Sequence, residues 1–122
     1  MNKKETLRVL IVRPLQEPVI EEVPNNLKGL QAAVGGLLEY LPLAPYIGLY
    51  CDEEHKLKLS MPNRVIRDPD GMIYDVIGGD FIIVRSDAYG NELDLTDDDA
   101  ITWRDFFCLE TTSAQLIQRN DA

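Results

Sequence analysis

Proline and glycine punctuation constrains this chain more than any other feature. Pro14, Pro18, Pro24, Pro42, Pro45, Pro62 and Pro69 divide the sequence into short apolar runs. Proline cannot continue a helix interior or a central paired strand, so these positions end the elements around them. Leu7–Val12 is rich in β-branched residues and stops before Pro14, which predicts a strand. Residues 18–23 predict a weaker strand ended by Pro24, close enough to the first for a hairpin.

Asn25-Asn26 offers a helix N-cap, with Leu27, Leu30, Ala33 and Val34 at helical spacing behind it. Gly35-Gly36 then supplies the left-handed residue that closes a helix of about residues 26–35. A short strand through Leu38, Tyr40 and Pro42 leads to a turn at Pro45. Tyr46–Cys51 is apolar on both faces and predicts a central strand. Beyond a polar turn, Lys56–Leu59 alternates like a return strand. Pro62-Asn63-Arg64 opens an irregular segment, and Asp68-Pro69-Asp70-Gly71 is a turn signature. Met72–Ile77 and Phe81–Val84 flank Gly78-Gly79 as the arms of a hairpin. Thr96 and Asp99 resemble a capping box opening a second helix of about 97–108, with Ala100, Trp103 and Phe107 on its apolar face. The expected fold is α+β, a mostly antiparallel sheet with two helices. One domain is expected over residues 1–110, with a polar tail from 111 to 122.

The 122 residues carry 12 basic and 21 acidic side chains, a net charge of −9. That field repels phosphates, so direct binding to nucleic acid or to an anionic membrane is not expected. With 45% hydrophobic residues the chain can bury a core without staples. A structural disulfide between Cys51 and Cys108 is not expected, because the absence of a secretory leader suggests a cytoplasmic setting. Two cysteines and one histidine without a Cys-x-x-Cys pair fall short of a zinc site, and no cofactor is expected.

Candidate chemistry is sparse. Cys51 and His55 are four residues apart, yet the acids between them raise a thiol pKa and oppose a nucleophile. A half-buried cysteine and a solvent histidine are the expectation. His55 is the only histidine and no Gly-x-Ser-x-Gly elbow exists, so serine catalysis is not expected. Neither glycine pair precedes a helix, which argues against a phosphate loop. The run from Asp94 to Asp99 lacks the ligand spacing of an EF-hand; helix capping explains it, and mimicry of nucleic-acid phosphates is the rival reading. Asn63 and Arg64 are the most suggestive pair. An arginine fork beside an amide on a loop can grip a carboxylate or phosphate, or it can simply hold a turn and pair with a surface acid.

Several short motifs occur in a familiar order: Leu10-Ile11-Val12, Leu30-Gln31-x-x-Val34-Gly35-Gly36, Cys51-Asp52-Glu53, Pro62-Asn63-Arg64 and Gly79 through Val84. Together they resemble a family of small uncharacterised proteins carried by phages, plasmids and other mobile elements, mainly of Gram-positive bacteria. The resemblance spans about residues 7 to 100. The family often has glycine where His55 stands, and a single small residue where Gly78-Gly79 stands. The resemblance implies an accessory protein and carries over no activity, cofactor or catalytic residue.

The expectation that results is a non-enzymatic binding module for a host protein or small anionic ligand, with Asn63, Arg64 and Gln31 as binding candidates. An acidic mimic of nucleic acid and a small nucleotide-processing enzyme are the alternatives. Strand Leu7–Val12 or strand Lys56–Leu59 could form a sheet edge, where Lys56 and Lys58 would protect against pairing and favour a monomer over a homodimer.

Overall fold

Asn26 starts the first helix as its sequence predicts. In the computed structural model, which describes residues 5–109, its side-chain oxygen accepts from the Gly29 N–H at 2.7 Å. Helix α1 (Leu27–Val34) ends at Gly35, whose φ of +84° suits glycine and whose N–H returns to the Gln31 carbonyl. Ahead of it, β1 (Thr6–Val12) and β2 (Val19–Pro24) pair antiparallel. Behind it run β3 (Leu38–Ala44), β4 (Ile47–Asp52), β5 (Pro62–Arg67), β6 (Ile73–Gly78), β7 (Phe81–Ser86), β8 (Glu92–Leu93) and α2 (Asp97–Phe106). The α+β reading holds: the sheets are antiparallel and the two helices lie where they were expected.

The main sheet has the order β2-β1-β7-β4-β3, with β8 also on β7. Extending the β1–β7 register of Leu10↔Ile83 would set Arg8 against Arg85. Arg85 pairs instead with Leu93 of β8, so like charges never face each other across the ladder. Strands β5 and β6 form a separate two-stranded ribbon.

Alternation along the central strands sends apolar side chains to both faces of the sheet. Leu7, Val9, Ile11, Ile82 and Val84 meet Leu30 and Val34 of α1. Leu10, Val12, Leu49, Phe81 and Ile83 meet Ile66 and Ile77 of the ribbon together with Phe107. The result is three layers: α1, sheet, then ribbon and α2. Helix α2 opens with the expected capping box. Thr96 Oγ1 accepts from the Asp99 N–H at 3.0 Å, and the Asp99 carboxylate accepts from the Thr96 N–H at 2.9 Å.

Four expectations are corrected. Lys56–Leu59 is not a strand: backbone bonds from Lys58 N–H to the Glu54 carbonyl and from Ser60 N–H to the His55 carbonyl make it a series of turns. Its charge–leucine alternation has no buried side, since Leu57 and Leu59 are 82% and 88% exposed. Gly78-Gly79 does make a turn, with Gly79 at φ +72°. However, β6 and β7 do not pair as a hairpin, because the chain there leaves the ribbon for the main sheet. Leu7–Val12 is interior rather than an edge; the edges are β2 and β3. Leu27 is exposed, because Gly29 packs against Pro24 so closely that a Cβ would meet the Pro24 carbonyl oxygen. That contact turns the buried stripe towards Gly29, Leu30 and Val34. The predicted tail, 111–122, lies outside the described residues.

Candidate functional site

Pro62-Asn63-Arg64 is where the structure departs furthest from the sequence reading. The segment is not an irregular, exposed loop. Proline is tolerated at the first position of a strand, and β5 starts there with Asn63 and Arg64 only 2% and 1% exposed. The Asn63 amide donates to the Val12 carbonyl at 2.9 Å and to the Gly79 carbonyl at 2.8 Å. Its oxygen accepts from Arg64 Nη1 at 2.7 Å. Arg64 Nε donates to the Phe107 carbonyl at 3.0 Å and Nη2 to the Gln16 carbonyl at 2.7 Å. One buried amide and one buried guanidinium thus tie β5 to the end of β1, the loop after it, the β6–β7 turn and the end of α2.

This arrangement satisfies the guanidinium with neutral oxygens instead of a carboxylate. Burial lowers the Arg64 pKa, and the Glu17 carboxylate opposes that shift. Arginine stays charged regardless. Its donors are committed inside the protein, which leaves the fork no face towards solvent. Gln31 lies on α1, across the sheet from β5, and contributes its backbone carbonyl to the helix end. The three candidate residues therefore do not converge on one surface.

A different group does converge. The β3–β4 register sets Glu39 directly opposite Cys51. The turn after Asp52 folds His55 over the same place, and donor atoms of Glu39, Cys51 and His55 all lie within 4.8 Å of one another. The expected solvent histidine is instead 5% exposed, and Cys51 is fully buried. Burial pushes the Cys51 thiol up to about 12, assisted by the Glu39 carboxylate 3.8 Å away and by Asp75 and Asp52. The thiol is protonated at neutral pH and no nucleophile.

The spacing of the three donors suits a cation, but the imidazole does not. The Gly78 N–H donates to His55 Nδ1 at 3.1 Å. One nitrogen thus accepts, and in the neutral ring the other carries the proton, so neither offers a lone pair. A metal-bound histidine shows the opposite surroundings, with its second N–H donating to an acceptor.

What His55 does is seal a strand. Ladder parity turns the Val76 and Gly78 N–H groups away from β5, to the side where β6 has no partner. His55 takes the second of these and the Asp75 carboxylate takes the first at 2.7 Å. Lys56 reaches Asp75 at 3.1 Å, and Lys58 bonds Asp52 at 2.8 Å and the Gly35 carbonyl at 3.3 Å. The 53–61 segment is thereby pinned along the ribbon while Leu57, Leu59 and Met61 stand in solvent, the last 57% exposed. Beside them a cleft of about 230 Å³ is lined by His55, Leu59, Ser60, Pro62 and Val76 among others. Sequence reasoning singled out Cys51 and His55 but missed Glu39, Asp75 and Gly78, which come from other segments; the Glu39–Cys51 pairing was within reach, by counting back from the Pro45 turn.

Three of the four aspartates between positions 94 and 99 have partners within the fold. Arg85 forks onto Asp99 at 2.6 and 2.8 Å, Arg8 reaches Asp97 at 2.9 Å, and the Asp94 carboxylate accepts from the Arg8 N–H at 2.8 Å.

Fold and site together describe a small α+β protein with a buried polar knot and a pinned apolar loop. The chain belongs to a family defined as a domain of unknown function, DUF3846, whose profile matches residues 7–108. No curated protein and no solved structure matches it significantly. No helix among the described residues is long and apolar enough to cross a membrane.

Proposed function

We propose that this protein is a non-enzymatic binding module that engages another protein through its 57–61 loop. The observation that carries the reading is the exposure of Leu57, Leu59 and Met61 on a segment whose flanks are fixed by His55 and Asn63. Apolar side chains held out in solvent by a pinned backbone mark an interaction surface, because the backbone that carries them needs little further ordering on binding. Asn63 and Arg64 serve this role indirectly by fastening β5, where the loop ends. The small-anion reading is less supported, since the Arg64 donors are internally engaged. An accessory role for a phage or mobile element, inside a host cell, rests on the family resemblance alone.

The test is an affinity pull-down from host extract with the wild-type chain and with Leu57→Asp/Leu59→Asp, washed at low and at about 1 M salt, where the Debye length is only 3 Å. The expected result is a stoichiometric protein retained by the wild type in both washes and lost by the variant. Equal retention by the two chains overturns the assignment to the loop. A partner held at low salt and released at high salt, irrespective of the leucines, favours the acidic mimic instead.

A further inference from the structure

The segment that carries Leu57 and Leu59 is latched to β6 through one nitrogen. A neutral imidazole has one lone pair able to take a proton, and in His55 it is on Nδ1, since Nε2 already carries a hydrogen. The Gly78 N–H occupies that same lone pair at 3.1 Å. A proton and the latch therefore compete for one atom. The other side-chain tethers of the segment run through Lys56 and Lys58, which are 71% and 46% exposed, and water weakens ion pairs in such positions. The Gly79 N–H bond to the Met61 carbonyl, at 2.9 Å, fastens only the far end.

The ionisable groups around the ring come from three strands and its own segment. They are Glu39 from β3, Cys51 and Asp52 from β4, Asp75 from β6, and Glu54, Lys56 and Lys58 beside it. Cys51 is a neutral thiol. Lys56 offsets Asp75, and Lys58 offsets Asp52 and Glu54. Glu39 has no ion-pair partner among the described residues, and its carboxylate lies within 4.8 Å of a ring nitrogen. An imidazolium thus loses an acceptor role at Gly78 and finds an anion at Glu39.

We infer that His55 is a pH-operated latch on the 57–61 loop. Neutral, the ring holds the loop against β6. On taking a proton from water at Nδ1 it releases the Gly78 N–H and turns to Glu39, and the loop slackens. Histidine is the side chain whose charge changes between about pH 5 and 8, so engagement of a partner is strongest above neutrality and weakens in acid. The inference rests on the protein-binding reading above and adds its regulation.

Nuclear magnetic resonance of the full chain, titrated from about pH 8 to about pH 5, tests the latch without a partner. Ring nitrogen shifts report the charge of His55, and the Gly78 amide reports the bond. The expected result is a Gly78 amide proton shift that follows the ring with one midpoint, accompanied by the amides of residues 56–60. Gly78 protection from exchange, corrected for the intrinsic effect of pH, should fall about 10-fold or more, since one proton competes for one lone pair. The amides of Leu10, Leu49 and Ile83 in the central strands should keep their protection, which separates release from unfolding. His55→Asn offers an oxygen to Gly78 that does not titrate, and should hold the Gly78 shift constant across the range. Glu39→Gln, at an exposed position, should move the ring midpoint to lower pH. A Gly78 amide indifferent to the ring, a ring still neutral at the acid end, loss of central-strand protection at the same midpoint, or an unmoved midpoint in Glu39→Gln overturns the inference. If Gly78 follows the ring but the pull-down shows no partner lost with Leu57→Asp/Leu59→Asp, the latch stands and the protein-binding reading falls. The reverse pair of results keeps that reading and removes the latch.

Discussion

Replacing Arg64 by methionine measures what the buried knot contributes. Methionine keeps an unbranched stem of similar reach and removes every donor. Four hydrogen bonds are lost, to the Phe107 and Gln16 carbonyls and to the backbone and side-chain oxygens of Asn63. The Asn63 oxygens and the Phe107 carbonyl are buried at these contacts, and a buried acceptor left unpaired costs about 1–3 kcal/mol. Opposing this is relief from holding a guanidinium at 1% exposure, which burial already disfavours. With the backbone oxygen at 3.3 Å discounted as the weakest of the four, the balance is a loss of roughly 2–4 kcal/mol. Against a typical total of 5–15 kcal/mol that is a large fraction. The assay is urea unfolding followed by Trp103, the only tryptophan, which packs on Phe106 and Phe107 beside the knot. With a slope near 2 kcal/mol/M the midpoint should fall by about 1–2 M. Arg64→Lys should recover little, because a point ammonium cannot reach the same spread of carbonyls. A midpoint for Arg64→Met within about 0.25 M of wild type, at unchanged slope, would refute the claim that the fork is structural.

Three further outcomes follow from the same reasoning. The Arg85 fork and the Thr96 bonds hold Asp99 at about 2 against an ordinary 3.8, so its contribution is complete above pH 4 and disappears as pH falls through 2. Asp99→Asn should cost about 2 kcal/mol at neutral pH and flatten the acid limb of the stability profile, which urea titrations between pH 2 and 6 would show. With its thiol at about 12, Cys51 should react with iodoacetamide at pH 8 about 1,000-fold more slowly than a free thiol until the chain unfolds, as mass spectrometry of the modified peptide would reveal. Gly29→Ala should destabilise by 2 kcal/mol or more in thermal melts, although alanine is the better helix former by about 1 kcal/mol. The new Cβ would collide with the Pro24 carbonyl oxygen, which is backbone and cannot swing away.

Local rules made most of the fold legible in the sequence. The Asn26 cap, the Gly35 stop, the Thr96–Asp99 box and the strands around Leu10, Leu49 and Ile83 depend on neighbours within a few residues. What could not be read depends on partners distant in sequence. The 56–59 alternation satisfies the strand pattern, but nothing in it reveals that Asp52 and Asp75 hold its lysines while its leucines face water. Asn63 and Arg64 are polar and follow a proline, so local reasoning puts them in solvent. Their burial is possible only because carbonyls from residues 12, 16, 79 and 107 surround them. His55 was misplaced for the same reason, its acceptor role being defined by a glycine 23 residues away.

The position of β7 in the strand order governs how this chain must be made. The β1–β2 and β3–β4 pairs close from neighbouring segments, and both can form as soon as they leave the ribosome. Neither has a finished sheet to join, because the strand that lies between them is Phe81–Ser86. Until about residue 86 emerges, Leu10, Val12, Ile47 and Leu49 sit on two half-sheets with open edges and uncovered apolar faces. One late strand then pairs with β1 on one side and β4 on the other. Assembly therefore resembles a zip drawn shut from the C-terminal side, with a slow, long-range closing step. Until that strand pairs, two sticky hairpins wait with open edges, so slow closure, more than weakness of the finished core, is what exposes the chain to aggregation.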